Sequence, residues 1–227
     1  MRFKLYITLF LALGVLFVML PAAQADQIQL YFTGNTYNGQ EVPYEMIITP
    51  AGTADPVHGP GAVTVWMNCD DHHDYIQTGE YWTATVYSGS SNNLMNTSMS
   101  QINGFNETQA DMAYDTKAYI ELNYSGANNP GYSNAIWYIF DPGNGCDAAC
   151  QVIYNAATAA VAADSANGYL SFRQYTTIFS GPYTNIVNQY GNSQPQEFDL
   201  VPDGGMTLIL LGSALVGLAT LRRKFCV

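Results

Sequence analysis

Positive charge is what this 227-residue chain has least of. It carries 7 Lys and Arg residues against 18 Asp and Glu residues. Between residues 26 and 201 the only Lys and Arg residues are Lys117 and Arg173. A body this acidic repels the phosphate backbone, which excludes nucleic acid as a partner. Divalent cations and basic polysaccharides are the natural electrostatic partners of such a chain, and solubility is the alternative explanation of its acidity.

Recognisable catalytic motifs are also absent. The chain has no Gly-x-Ser-x-Gly, no glycine-rich phosphate loop and no dinucleotide-binding fingerprint. Its only histidines, His58, His72 and His73, lie close together in the sequence, so no base can be assigned to a cysteine nucleophile. We therefore expect a protein that is not an enzyme and that has no cofactor.

One segment is rich in ligand-type side chains, namely residues 69–74, with the sequence Cys-Asp-Asp-His-His-Asp. Asp70, His72 and Asp74 could bind Ca²⁺ or Zn²⁺. No established metal-binding spacing fits, so a solvated loop between two strands is the simpler interpretation. The alternative to a non-enzymatic protein is an extracellular carbohydrate-active or metal-dependent enzyme that uses this loop.

The cysteines permit one disulfide in the body of the protein. Export to an oxidising compartment would favour a bridge among Cys69, Cys146 and Cys150. A bridge between Cys146 and Cys150 falls near a helix start and needs a frayed turn. A bridge from Cys69 to either of the others would join the strand region to the helical region. The sequence does not choose among these pairings.

Hydrophobic patterning predicts an α+β fold of mainly antiparallel, sandwich-like β-structure with two or three inserted helices. The predicted domain spans residues 26–180, and residues 181–200 read as a polar linker. Strands are predicted at residues 27–33, 44–49, 62–67, 79–87, 169–172 and 176–179, and helices at 107–124, 132–140 and 147–163.

The N-terminus has the features of a signal peptide over residues 1–25. Two basic residues precede an apolar stretch at residues 5–20, and Ala23 and Ala25 form the small-x-small pattern that signal peptidase cleaves. We expect a helical signal segment that is cleaved after Ala25. An uncleaved signal anchor is the alternative.

The C-terminus has three features in order over residues 201–227. Val201, Pro202, Asp203, Gly204 and Gly205 come first, and an apolar segment at residues 206–221 follows. As a helix that segment covers roughly 24 Å of a hydrocarbon core about 30 Å thick, so we predict a transmembrane helix. The basic cluster Arg222, Arg223 and Lys224 should remain on the cytoplasmic side.

This arrangement resembles the PEP-CTERM class of sorting signals, in its Val-Pro-Asp form. The resemblance implies recognition by exosortase, a membrane-embedded transpeptidase-like enzyme, while an unprocessed membrane anchor is the alternative. Residues 65–71, 78–86 and 135–142 also resemble PEP-CTERM surface proteins. We therefore expect an exported cell-surface or extracellular-matrix protein, anchored by its C-terminal helix before processing, with a structural or adhesive role and extracellular polysaccharide as a possible partner.

Overall fold

A computed structural model describes residues 27–36, 43–55, 57–70, 76, 78–124, 131–181 and 197–200. Six strands lie in this part of the chain: β1 (Gln27–Thr36), β2 (Tyr44–Pro50), β3 (Val63–Cys69), β4 (Tyr81–Ser88), β5 (Thr177–Ser180) and β6 (Glu197–Leu200). They form a closed barrel in the order β1-β2-β3-β6-β5-β4, and every neighbouring pair is antiparallel.

Alternation along the strands fills the barrel. Because successive side chains point to opposite faces of a strand, every second residue enters the interior. Leu30 and Phe32 of β1 and Trp82 of β4 are buried there. The Phe198 ring of β6 lies 5.6 Å from Trp82 and 6.0 Å from Tyr44, measured between ring centroids. These aromatic contacts hold strands from opposite ends of the sequence together.

The described residues between β4 and β5 form four α-helices. They are α1 (Ser98–Ile102), α2 (Glu107–Tyr124), α3 (Gly131–Phe140) and α4 (Ala148–Ala163). Thr97 caps α1 and Asp147 caps α4, each by accepting a backbone N–H with its side chain. A second apolar cluster joins Leu94, Met99, Tyr114, Phe140 and Ile178. The helices therefore cover part of the barrel's outer surface.

The prediction of mainly antiparallel strands with inserted helices is confirmed, but the sandwich-like arrangement is wrong. The pairing of β1 with β4 and the insertion of β6 between β3 and β5 close the sheet into a barrel. The predicted linker at residues 181–200 is wrong at its end, because Glu197–Leu200 is a barrel strand. The strand predicted at residues 169–172 is also wrong. That segment turns, and Tyr169 adopts a φ of 55°.

Candidate functional site

A row of carboxylates lies on the outer face of the barrel where β3 meets β6. Asn68 pairs with Asp199 across these strands, and the Asp70 backbone N–H donates to the Glu197 carbonyl at 3.0 Å. Since Met67 and Cys69 belong to the apolar core, Asn68 and Asp70 lie on the opposite face. Helix α2 supplies the side chains that meet this row.

Lys117 of α2 is the centre of the site. Its ammonium contacts Asp70 and lies 2.6 Å from Asp199 Oδ1 and 3.5 Å from Glu121 Oε1. All four side chains are buried, with at most 1% of each residue exposed. Glu121 sits one helical turn after Lys117, and its Oε1 also accepts from Asn68 Nδ2 at 3.0 Å. The site thus places three carboxyl groups around one amine.

Burial changes the proton affinities of these groups. Desolvation raises the pKa of Asp70 and of Glu121 well above the usual carboxyl range. Burial alone would lower the pKa of Lys117, but the surrounding carboxylates outweigh it and raise that pKa well above 10.5. At rest, the surrounding carboxylates therefore favour the charged form of Lys117, whereas burial favours the neutral forms of Asp70 and Glu121.

A second buried network lies beside the first. Glu197 accepts from the Tyr114 hydroxyl, from Ser98 Oγ at 3.0 Å and from the Met99 backbone N–H at 3.3 Å. The Tyr114 oxygen also lies 2.5 Å from Thr97 Oγ1. Desolvation and the nearby Glu197 charge raise the pKa of Tyr114 well above 10. This network fixes β6 against the first turn of α1.

Arg173 is the other basic residue of the body, and it too is buried. Its guanidinium pairs with Asp111 at 3.1 Å and donates to the carbonyls of Gly89 and Ser91, the latter at 3.1 Å. Its backbone N–H donates to Asp115 Oδ1 at 2.8 Å. Arg173 therefore ties the end of the helical insertion to the loop after β4.

The disulfide joins Cys146 to Cys150, with 5.3 Å between their Cα atoms. Among the cysteine pairings that the sequence allows, this is the one that spans a single turn at the start of α4. Cys69 is a buried thiol outside that bridge, and its backbone carbonyl accepts from Trp137 Nε1 at 3.0 Å. The contact between β3 and α3 is thus a hydrogen bond rather than a disulfide.

The predicted metal ligands are only partly described. Asp70 directs its carboxylate to Lys117, while His72 and Asp74 lie outside the described residues. In the described ranges, no three His, Cys, Asp or Glu side chains are grouped so as to hold a metal ion. The Lys117 ammonium occupies the position a cation would need beside Asp70.

The predicted terminal sites lie outside the described residues. These are Ala23 and Ala25, the motif Val201 to Gly205, the apolar segment at residues 206–221 and the cluster Arg222 to Lys224. Across the part of the chain that the structure covers, no helix is long and apolar enough to cross a membrane.

Comparison with known families identifies the C-terminal segment. It is a PEP-CTERM-like C-terminal sorting signal. Residues 201–225 match the VPDSG-CTERM motif, in which this chain has Gly204 at the fourth position. The motif is recognised by an exosortase-type enzyme and marks an exported protein. No curated protein and no solved structure matches the chain.

Sequence reasoning missed the residues that organise the buried site: Lys117, Glu121, Asp199, Glu197 and Tyr114. One signal was present. A chain with two basic residues in its body places one of them, Lys117, four residues before Glu121 on a predicted helix. Such a residue could be expected to have a specific ion partner. The partners on β6 had no signal of their own, and Asp70 was recognised only as a candidate metal ligand.

Proposed function

We propose that this protein is a structural or adhesive component of the cell surface or extracellular matrix. The VPDSG-CTERM motif at residues 201–225 carries the proposal, because it addresses the chain to an exosortase-type enzyme. In this account signal peptidase removes residues 1–25, and the tail anchors the chain in the membrane until it is processed. The body then acts outside the cytoplasm without a cofactor.

The burial of the charged groups supports a non-catalytic body. Lys117, Asp70, Glu121 and Asp199 are almost fully covered, so a substrate cannot reach them without local unfolding. A catalytic acid or base must come within hydrogen-bond reach of its substrate. These groups instead join α2 to β3 and β6. The alternative, an enzyme that uses the 69–74 loop, would need Asp70 for its chemistry. Asp70 is instead paired with Lys117, and no other described residue takes its place.

The exposed face of the barrel supports polysaccharide as the partner. Trp66 of β3 is 41% exposed and Tyr81 of β4 is 49% exposed. Tyr81 pairs with the half-buried Tyr31 of β1, so two aromatic side chains lie side by side on neighbouring strands. Flat aromatic rings offer contact area to the C–H faces of sugars. Glu45, which pairs with Trp66 on the neighbouring strand, would favour a neutral or basic polysaccharide.

The sorting part is tested by replacing Pro202 and Asp203 with Ala in the producing cells. We expect the variant to retain its tail and to remain in the membrane fraction, whereas the natural chain is processed. Pro195→Ala, outside the motif, is the matched control and should behave like the natural chain. Unchanged processing and location in the double variant would refute the sorting proposal.

The adhesive part is tested by sedimentation of the purified protein with polysaccharide isolated from the same cells. Trp66→Ala and Tyr81→Ala should each reduce the bound fraction severalfold. Tyr175→Ala is the control, since Tyr175 is 57% exposed but lies in the helical insertion. If all variants bind equally, this face is not the adhesive surface. A structural role would then be the part of the proposal that still stands.

A further inference from the structure

The amine of Lys117 is enclosed in an arrangement suited to a covalent reaction. It is buried, it contacts the Asp70 carboxyl group, and two further carboxyl groups lie within 3.5 Å. Asp70 follows strand β3, whereas Lys117 lies on helix α2, so the contact crosses between the barrel and the helices. An amine held against a carboxyl group away from bulk water is in the geometry of amide formation.

The three carboxyl groups are not equivalent. Among the described residues, the Asp70 carboxylate is held by the Lys117 ammonium alone. Glu121 is instead positioned by Asn68, and it shares a hydrogen bond with Asp199. Two carboxyl groups can share a hydrogen bond only when one of them holds a proton. Asp70 is therefore the group open to attack, and Glu121 with Asp199 forms a pair that can accept and return a proton.

We propose that Lys117 and Asp70 become joined by an intramolecular amide bond. The Lys117 ammonium passes a proton to the Glu121–Asp199 pair, and its lone pair attacks Cγ of Asp70. The new bond is Nζ–Cγ, and the bond that breaks is one Cγ–O bond. The departing oxygen leaves as water with two protons from the original ammonium. The pair returns to its starting protonation, so the sum is ammonium plus carboxylate giving amide plus water.

Burial favours this product over the ion pair. An ammonium and a carboxylate lose their hydration when they are enclosed, and their mutual attraction rarely makes up the whole loss. A neutral amide removes both charges from the site. The raised pKa of Asp70 has the same origin, since desolvation favours its uncharged form. No oxidant or cofactor is needed, because only water is released.

The bond would close the chain between residues 70 and 117 and fix α2 to the barrel. It goes beyond the proposed structural role, because a structural or adhesive domain could act with the ion pair alone. Failure of the bond would leave that role untouched, and failure of sorting would leave the bond untouched. The two proposals can therefore be refuted separately.

The full chain offers a direct test, because Lys117 and Arg173 are the trypsin sites of the body. The purified protein is denatured, reduced, alkylated and digested. An amide at Lys117 removes the positive charge that trypsin recognises, so we expect no cleavage after Lys117 and one fragment that continues to Arg173. The intact reduced chain should also weigh one water less than its sequence requires.

Variants define the partners. Asp70→Ala should restore the full mass and cleavage after Lys117, and Lys117→Arg should restore both while keeping a positive charge. Asp55→Ala, at an exposed position, is the control and should retain the cross-link. The natural chain decides the question even if a variant does not fold. Full mass and complete cleavage after Lys117 in the natural chain would overturn the proposal, and a cross-link that survives Asp70→Ala would overturn the assignment of Asp70.

Discussion

Tyr114 and Glu197 are 83 residues apart, yet the Tyr114 hydroxyl donates its hydrogen to the Glu197 carboxylate. Both groups are buried, and the bond joins helix α2 to the final strand of the barrel. A buried charge that loses a hydrogen-bond donor keeps its full desolvation cost. This contact therefore explains how a short strand of four polar and apolar residues is held in the sheet.

Tyr114→Phe should weaken the fold through that bond. The substitution removes one hydroxyl and leaves Glu197 with Ser98 and the Met99 N–H. We expect the free energy of unfolding to fall by about 2 kcal/mol, measured by urea denaturation. Tyr175→Phe, at an exposed ring, is the control and should change it by less than about 0.5 kcal/mol. Equal values for the two variants would contradict the role given to Glu197.

Arg173→Lys should be costly although it keeps the charge. The guanidinium serves Asp111 and several backbone carbonyls at once, and a single ammonium cannot reach them all. We expect a loss of about 3 kcal/mol in the free energy of unfolding. Gln174→Lys adds a lysine at the neighbouring exposed position and should have little effect. If the Arg173→Lys protein is as stable as the natural chain, the planar guanidinium group of Arg173 is not required for stability.

Gly131→Ala should disturb the packing of α3 against α4. A Cβ at residue 131 would lie 2.4 Å from the Ala149 carbonyl carbon and 2.5 Å from the Cys150 nitrogen. Backbone cannot move aside cheaply, so we expect a loss of about 2 kcal/mol in thermal or urea unfolding. Ser133→Ala on the same helix is the matched control. An unchanged midpoint for Gly131→Ala would mean that the two helices sit farther apart.

Asp164 should make the fold sensitive to strong acid. Desolvation opposes its ionisation, but hydrogen bonds from Ser171 and Asn167 prevail and lower its pKa from 3.8 to about 2. A lowered folded-state pKa gives stability that is present above the unfolded pKa and lost as the pH falls through the folded one. Asp164→Asn should therefore cost about 1 kcal/mol at pH 6 and clearly less at pH 2, where Asp164 is about half protonated in the folded state. A difference that persists unchanged at pH 2 would contradict this assignment.

Local patterns were enough to find most strands and the three longer helices. The alternation at residues 44–49 corresponds to β2, which is one residue longer, and the apolar spacing at 107–124 has the same bounds as α2. These signals reside in neighbouring residues, which is why they can be recognised without the fold. The Cys146–Cys150 bridge was among the pairings the sequence left open.

Closure of the barrel and the buried site depended on distant residues. Residues 197–200, Glu-Phe-Asp-Leu, are predicted as part of the polar linker because residues 181–200 are rich in Asn, Gln and Pro. In the fold Glu197 meets Tyr114 and Asp199 meets Lys117, so both acidic residues are buried with partners. At residues 169–172 the aromatic pattern favoured a strand, but the backbone turns there so that the Tyr169 carbonyl can accept from Arg173. Such partners cannot be found by local periodicity.

The intact mass of the protein recovered from the cells that produce it tests the central claim most directly. We expect a chain that begins after Ala25, ends within or beside residues 201–205 and lacks the apolar segment at 206–221. This expectation follows from the proposal that the motif matched at residues 201–225 is processed. Recovery of a chain that still extends to Val227 and remains in the membrane would contradict the account.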